Sequence, residues 1–280
     1  MKVIKDPKRL NEILRVLDKK GSRIGFVPTM GFLHEGHLSL VRRARRENDV
    51  VVVSIFVNPL QFGPREDFKQ YPRDLNRDRR LLKRERIDFL FTPSRRAMFP
   101  KHFGAFVSPG PLARHLCGRK RPGHFRGVVT VVCRLFEMIR PHTAYFGEKD
   151  YQQAKIIQDM VRRLHLKVKV RTCPIVREPD GVAMSSRNSY LSRAERICAR
   201  ALYQSLLWAQ SLIRSGERNS QKVKRAVTAL LASYAGKIDY VEIIDPLRLR
   251  PMKTIKLPAL VALACYMGST RLIDNILIKR

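Results

Sequence analysis

The chain has 280 residues, 44% of them hydrophobic, enough for one large or two smaller cored domains and too many for wholesale disorder. Fifty-six Lys and Arg against 24 Asp and Glu give a formal net charge of +32, which raises nucleic-acid binding as one reading. The longest apolar runs, 50–57 and 259–265, are of strand length, far short of the ~18 residues a membrane-crossing helix needs, so no membrane role is expected.

Residues 7–19 carry Leu10, Ile13, Leu14 and Leu17 at helical spacing, and the N-terminus runs straight into this helix without a signal-peptide pattern. A strand follows at 24–27, then a glycine-bearing crossing, then a helix with Leu38, Leu40, Val41 and Ala44 on one face. Residues 49–57 are β-branched and apolar, as in a strand buried on both faces of a parallel sheet. Leu75, Leu81 and Leu82 are the expected core positions of the next helix. Strands are expected at 87–91 and 143–146, with one short strand at 105–108 inside a Pro-, Gly- and Arg-rich stretch. Val128, Val131, Val132, Leu135, Phe136 and Ile139 predict a helix over 127–139 despite many β-branched residues. Ala154, Ile157, Val161 and Leu164 predict another, and a strand at 167–170 closes the alternating region.

After Pro174 the pattern changes. Ser192 with Glu195 forms a capping box opening a helix to 213, a second helix covers 220–234, and strands follow at 239–244, 259–265 and 272–278. The expected architecture is a parallel α/β domain over 1–176 and a smaller α+β domain over 177–280. Five cysteines, at positions 117, 133, 173, 198 and 265, form no C-x-x-C pair and suit free thiols in a reducing, cytoplasmic setting.

The crossing at 28–37, PTMGFLHEGH, sits between strand and helix, with Gly31 and Gly36 inside it. A helix start offers unpaired N–H groups and a positive dipole end to an anion, and His34 and His37 add hydrogen-bond donors. The pair lacks a third His or Cys at a metal-binding spacing, which disfavours zinc. In parallel sheets ligands bind where strands end at their carboxyl side. There this sequence collects His34, His37, Asn58, Gln61, Lys149, Asp150 and Gln153. Lys149 and the Ser185-Ser186-Arg187 stretch suit phosphate oxygens, whereas Asn58, Gln61 and Gln153 are neutral amides suited to hydroxyls and a carboxylate. The basic residues are spread out, as Arg42, Arg45 and Arg46 opposite an apolar stripe, and are not interleaved with aromatics. A solvated face with some steering of anionic substrates is expected, with no specific nucleic-acid partner.

The H-x-G-H spacing early and M-S-S-R late resemble the HIGH and KMSKS pair of enzymes that attack the α-phosphate of a nucleotide. PTMGFLHEGH, SIFVNPLQFGPREDFKQYPRD, RPGHFRGV, FGEKDYQQ, DGVAMSSRN and GSTRLIDN, in this order, resemble the pantoate–β-alanine ligase family. The resemblance implies a Rossmann-like, doubly wound N-terminal domain with a smaller C-terminal lid, in a cytoplasmic homodimer. It implies ATP and magnesium, a pantoyl-adenylate intermediate, release of pyrophosphate, and attack by β-alanine to give pantothenate and AMP. An ATP site is implied at Met30, Gly31, Phe32, Leu33, His34, Glu35, Gly36, His37, Gly147, Glu148, Lys149, Asp150, Val176, Met184, Ser185, Ser186 and Arg187. His37, His34, Lys149 and Arg187 carry catalysis in that reading; Gln61, Gln153 and Asn58 bind pantoate, with Gln61 also serving β-alanine, and Asp78 lies near magnesium. Arg77, where relatives often have an acid, and the basic run Arg119-Lys120-Arg121 depart from the family pattern. A nucleotidyl transferase that joins a phosphorylated substrate to AMP or CMP shares the H-x-G-H logic, but would need a cationic pocket at Gln61 and Gln153.

Overall fold

The structure is a computed structural model and describes residues 1–100, 103–104 and 106–279. It divides into two compact units, one of Met1–Ala113, Arg121–Glu148 and Gln153–Pro174, the other of Arg114–Lys120, Lys149–Gln152 and Ile175–Arg280. The second unit thus includes two short segments, Arg114–Lys120 and Lys149–Gln152, that precede Ile175 in the chain.

In chain order the elements are β1 (Lys2–Ile4), α1 (Pro7–Lys19), β2 (Ile24–Thr29), α2 (Glu35–Glu47), β3 (Val50–Ile55), α3 (Leu75–Arg84), β4 (Phe89–Phe91) and α4 (Arg95–Met98). Then come α5 (Leu116–Lys120), α6 (His124–Ile139), β5 (Thr143–Gly147), α7 (Tyr151–Arg163), β6 (Lys169–Cys173), α8 (Arg193–Arg214), α9 (Ser220–Ala232), β7 (Lys237–Ile244), β8 (Ala259–Met267) and β9 (Thr270–Ile278).

The first unit is built on a six-stranded sheet in the order β1-β4-β3-β2-β5-β6, every neighbouring pair parallel. The chain steps outward from β2 through β3 to β4, then returns to the other side of β2 for β5 and β6. The order therefore reverses between β2 and β5, the place where such sheets open a crevice at their carboxyl ends. Successive residues of β2 point to opposite faces. Phe26 meets Phe136 of α6 edge-on at 6.3 Å, while Val27 joins a cluster with Leu40, Val41 and Ala44 of α2. Both faces of the sheet are covered, which is why β3 is buried through its first five residues. A helix apolar all round is a buried helix. Accordingly α6 keeps its helical form in spite of its valines, with Phe125 to Ile139 largely buried and left-handed residues, Gly123 and Arg140, at its two ends.

Several local features differ from what the sequence pattern predicts. Lys2–Ile4 is an edge strand paired with Phe89–Phe91; three residues carry no periodicity, and the partner lies far along the chain. Residues 106–108 form no strand, and Ala105, the first residue of that expectation, lies outside the described residues. On α3, Leu75 is 41% exposed while Asp78 is buried. On α7 the buried residues are Gln152, Ala154, Ile156, Ile157 and Met160, and Leu164 is exposed.

The second unit has an antiparallel sheet in the order β7-β8-β9, with helices α8 and α9 sharing its core: Leu202, Leu206 and Ile213 pack with Val223, Val227, Val261 and Leu263. The predicted capping box is present, Ser192 Oγ accepting from Glu195 N–H at 3.2 Å and Glu195 Oε2 from Ser192 N–H at 2.8 Å. The β8–β9 connection is a two-residue turn in which Gly268 takes a positive φ of 57°. All five cysteines are free thiols.

Candidate active site

Leaving β2, the backbone passes through Gly31 at φ 84° and Phe32 at φ 50°, two consecutive left-handed residues. Glycine reaches this region freely and phenylalanine does not. The turn is held from α3: Asp78, 1% exposed, accepts from Phe32 N–H and Leu33 N–H, both at 2.8 Å. A Cβ on Gly31 would stand 3.1 Å from Asp78 Oδ2 and 2.9 Å from Ile55 Cγ2. Arg77 grips the same turn, donating to Leu33 C=O at 2.8 Å and lying 5.2 Å from the centre of the Phe32 ring. Burial pushes the Asp78 carboxyl up from its ordinary value; the two amides and Arg77 oppose that without overcoming it.

His34 precedes α2 in extended conformation, and its N–H reaches His37 Nδ1 at 3.4 Å, with the ring centres 4.0 Å apart. With Nδ1 accepting, the proton of a neutral His37 sits on Nε2, which becomes a donor. Gly31 N–H bonds Thr29 Oγ1 at 3.2 Å. The amides of Gly31, Phe32, Leu33 and His34 are thus engaged within the protein, and those of Glu35 and Gly36 remain as helix-start donors for an anion. Leu33 is fully buried in the core, its N–H bonded to Asp78 and its carbonyl taking a bond from Arg77. Glu35 pairs with Arg42, which also bonds Glu85 at 2.6 Å.

After β3, Asn58 caps a short 3-10 turn, Pro59–Gln61, accepting from Leu60 N–H at 3.0 Å. Its amide nitrogen donates to Gln61 Oε1 at 2.9 Å and to Gly127 C=O at 3.1 Å. Asn58 is 2% exposed and braces the turn against α6 through these three bonds. Gln61 Nε2 donates to Met30 Sδ at 3.1 Å, tying the β3 end to the β2 end. The 3-10 turn packs so closely on α6 that a Cβ on Gly127 would lie 2.1 Å from Leu60 C=O oxygen. Beyond β5, Gly147 has open space where a Cβ would stand, and Glu148 accepts from Thr172 Oγ1 at 3.1 Å. Asp150 is exposed, and Gln153 lies half-buried on α7.

The remaining candidates lie in the second unit. Lys149 is fixed through its backbone, its carbonyl accepting from Asn275 Nδ2 at 3.0 Å. Residues 176–184 form a narrow hairpin closed by Met184 N–H to Val176 C=O at 3.0 Å and by an Arg177–Ala183 bridge. Ser185 then caps the 3-10 turn Ser186–Tyr190 by accepting from Arg187 N–H at 3.3 Å. Arg177 pairs with the buried Asp274 through two bonds of 2.6 and 3.0 Å and lies 3.7 Å from the centre of the Tyr203 ring. Asp274 and Asn275, adjacent on β9, thus anchor both the hairpin that leads to Ser185-Ser186-Arg187 and the segment bearing Lys149.

A family model described as pantoate-beta-alanine ligase matches residues 2–277. This chain belongs to the pantoate–β-alanine ligase family. A pantothenate synthetase from Thermotoga petrophila is 54% identical over 276 residues, covering 98% of this chain and 99% of the relative. The crystal structure of pantothenate synthetase from Thermus thermophilus covers 100% of both chains at a TM-score of 0.95 and 45% identity. That of the Francisella tularensis pantoate-beta-alanine ligase, complexed with beta-gamma ATP and β-alanine, covers 99% of this chain and 97% of its own at a TM-score of 0.81 and 36% identity.

For a pantoate–β-alanine ligase, Asp78 does not fit as a magnesium ligand. Both its oxygens are engaged by backbone amides, and among the described residues no group of three or more His, Cys, Asp or Glu converges as a metal site. Its role in this structure is to shape the turn that leads to His34 and His37. The signal was in the sequence: a carboxylate in the apolar stripe of α3, four residues before Leu82. The contacts of Arg77 with Leu33, of Arg121 with Glu66 and of His124 with Gln61 were missed as well, because these partners are distant in sequence. No helix among the described residues is long and apolar enough to cross a membrane.

Proposed function

We propose that this chain joins pantoate to β-alanine at the expense of ATP, by way of a pantoyl adenylate, as a cytoplasmic homodimer. A carboxylate is a poor electrophile because its leaving group would be oxide. In the first step a pantoate carboxylate oxygen attacks the α-phosphorus of ATP, and the bond to the bridging oxygen of pyrophosphate breaks. In the second, the β-alanine amine attacks the activated carbonyl, AMP leaves with the electron pair, and the amine gives up a proton. Neither step calls for a Ser-His-Asp triad; alignment of two anions and neutralisation of growing charge suffice.

In the first unit, the α2 start with His34 and His37 receives the α-phosphate, and Gln61 and Gln153 read the hydroxyls and carboxylate of pantoate. Gln61 also serves the β-alanine step. In the second unit, Lys149, Ser185, Ser186 and Arg187 offer cations and hydroxyls to phosphate oxygens, with Met184 and Val176 at the base of that loop. Magnesium would arrive with the ATP phosphates, since the ion keeps most of its ligands as water and phosphate oxygen; no ligand to it is assigned to Asp78. The observation that carries the reading is the Gln61 amide hydrogen-bonded to Met30 at the head of the H-x-G-H turn, a neutral reader beside a phosphate-binding helix start. A nucleotidyl transferase would need a cationic acceptor pocket at that place. ATP–pyrophosphate exchange, measured with and without pantoate, tests the proposal. Exchange that requires pantoate is expected; exchange indifferent to it would overturn the adenylate route.

A further inference from the structure

We propose that Glu66, Arg121 and His124 are positioning residues that fix Gln61 for reading the acid substrate, an inference that rests on the role given to Gln61 above. All four belong to the first unit. Arg121 forms a two-pronged pair with Glu66, Nε to Oε1 at 2.7 Å and Nη2 to Oε2 at 2.5 Å. Its Nη1 lies 3.1 Å from His124 Nε2. A guanidinium only donates, so His124 Nε2 accepts and the ring proton sits on Nδ1. That proton faces Gln61 C=O at 2.8 Å, and Arg121 Nη2 adds a longer bond to the same oxygen at 3.3 Å. Glu66 also accepts from Gly63 N–H at 3.1 Å, so the loop is gripped on both sides of Phe62.

The chain of contacts fixes more than the fold. Gln61 gives one amide hydrogen to Met30 and takes one bond from Asn58. One donor and one acceptor direction of the amide are left over, the pair that a hydroxyl or carboxylate requires. Their direction depends on the backbone of residue 61, which His124 and Arg121 hold from one side and the close approach to Gly127 from the other. The same arrangement accounts for two features of the sequence: the RPGHFRGV stretch, and Arg121 at the end of a basic run, where Glu66 neutralises it.

The test compares His124→Ala, His124→Asn and His124→Gln in pantoate-dependent ATP–pyrophosphate exchange. The amide nitrogen of asparagine falls where Nδ1 was; that of glutamine falls near Nε2. A misplacement of about 1 Å can cost on the order of 10²-fold, so His124→Ala should raise the pantoate KM by about 10- to 100-fold with the ATP KM changed by less than about twofold. His124→Asn should recover most of the loss and His124→Gln should not. Adding His124→Ala to Gln61→Ala should cost nothing further in pantoate KM, because the residue acts through Gln61. If His124→Ala does not fold, Arg121→Lys and Glu66→Gln should show the same split between the two substrates. Equal losses for ATP and pantoate, failure of His124→Asn to recover activity, or a loss confined to the β-alanine step would overturn the proposal. A Gln61→Ala enzyme with normal pantoate dependence would instead overturn the role of Gln61, and the positioning role with it.

Discussion

Replacing Asp78 with asparagine keeps the shape of the side chain and changes one acceptor into a donor. In the native turn the carboxylate takes two amide bonds of 2.8 Å, from Phe32 and Leu33. An asparagine can take one and must turn its NH₂ toward the other amide. A hydrogen bond to a charged group contributes about 1.5–3 kcal/mol, and at about 1.4 kcal/mol per tenfold in rate that is on the order of 10- to 150-fold if expressed in the placement of His34 and His37. Stability should change less than rate. Burial already pushes this carboxyl up from its ordinary value, so the folded protein holds a charge that it disfavours, and Asn removes that burden along with the bond. The assay is single-turnover adenylation at saturating ATP and pantoate, beside a thermal melt of the same preparation. Adenylation within about twofold of wild type would refute the reasoning, since the turn would then keep its form without the second bond. A rate loss fully explained by unfolded protein would refute it as well.

His37→Ala, Lys149→Ala and Arg187→Ala should each slow adenylation by about 10²–10³ with the fold intact, as loss of one preorganised donor does; single-turnover rates and circular dichroism check this. Gln153→Ala should lose pantoate activation while calorimetry shows ATP binding retained, and analogues of pantoate lacking a hydroxyl should be rejected by up to about 10⁴ in exchange rate. Gly127→Ala would drive a Cβ to 2.1 Å from the Leu60 carbonyl oxygen; a forced fit of this kind costs about 1–3 kcal/mol, readable in denaturant unfolding, and should weaken pantoate use. For Glu66, burial alone would push the carboxyl up, but its hydrogen bonds from Arg121 prevail and hold it below its ordinary 4.5. Its stabilisation is therefore full above pH 4.5 and is lost as pH falls through the lower folded value. The stability gap between wild type and Glu66→Gln should narrow below that pH.

Features that are periodic or contiguous can be read along the chain. Alternation of apolar strands with amphipathic helices specified a parallel α/β sheet, and residues 24–27 and 49–57 read as strands of it, the second apolar on both faces; the structure has them at Ile24–Thr29 and Val50–Ile55. The capping box at Ser192 and Glu195 was legible because it spans four consecutive residues. His34, His37, Lys149 and the Ser185-Ser186-Arg187 stretch were legible as short runs at strand ends, and the order of the motifs along the chain carried the family. What these residues do to one another follows from the fold. Asp78 is placed near magnesium by the resemblance alone, and only the fold shows it buried against the Phe32 and Leu33 amides; the bond from Asn58 to Gly127 of α6 is likewise visible only in the fold. A three-residue strand at the N-terminus is invisible without Phe89–Phe91 beside it. The ring proton of His124 is assigned by an arginine three residues before it and a carbonyl from the β3 end, a placement that no local pattern encodes. Hydrogen-bond direction and burial depend on groups that are near in space and far in sequence; periodicity reports only on neighbours along the chain.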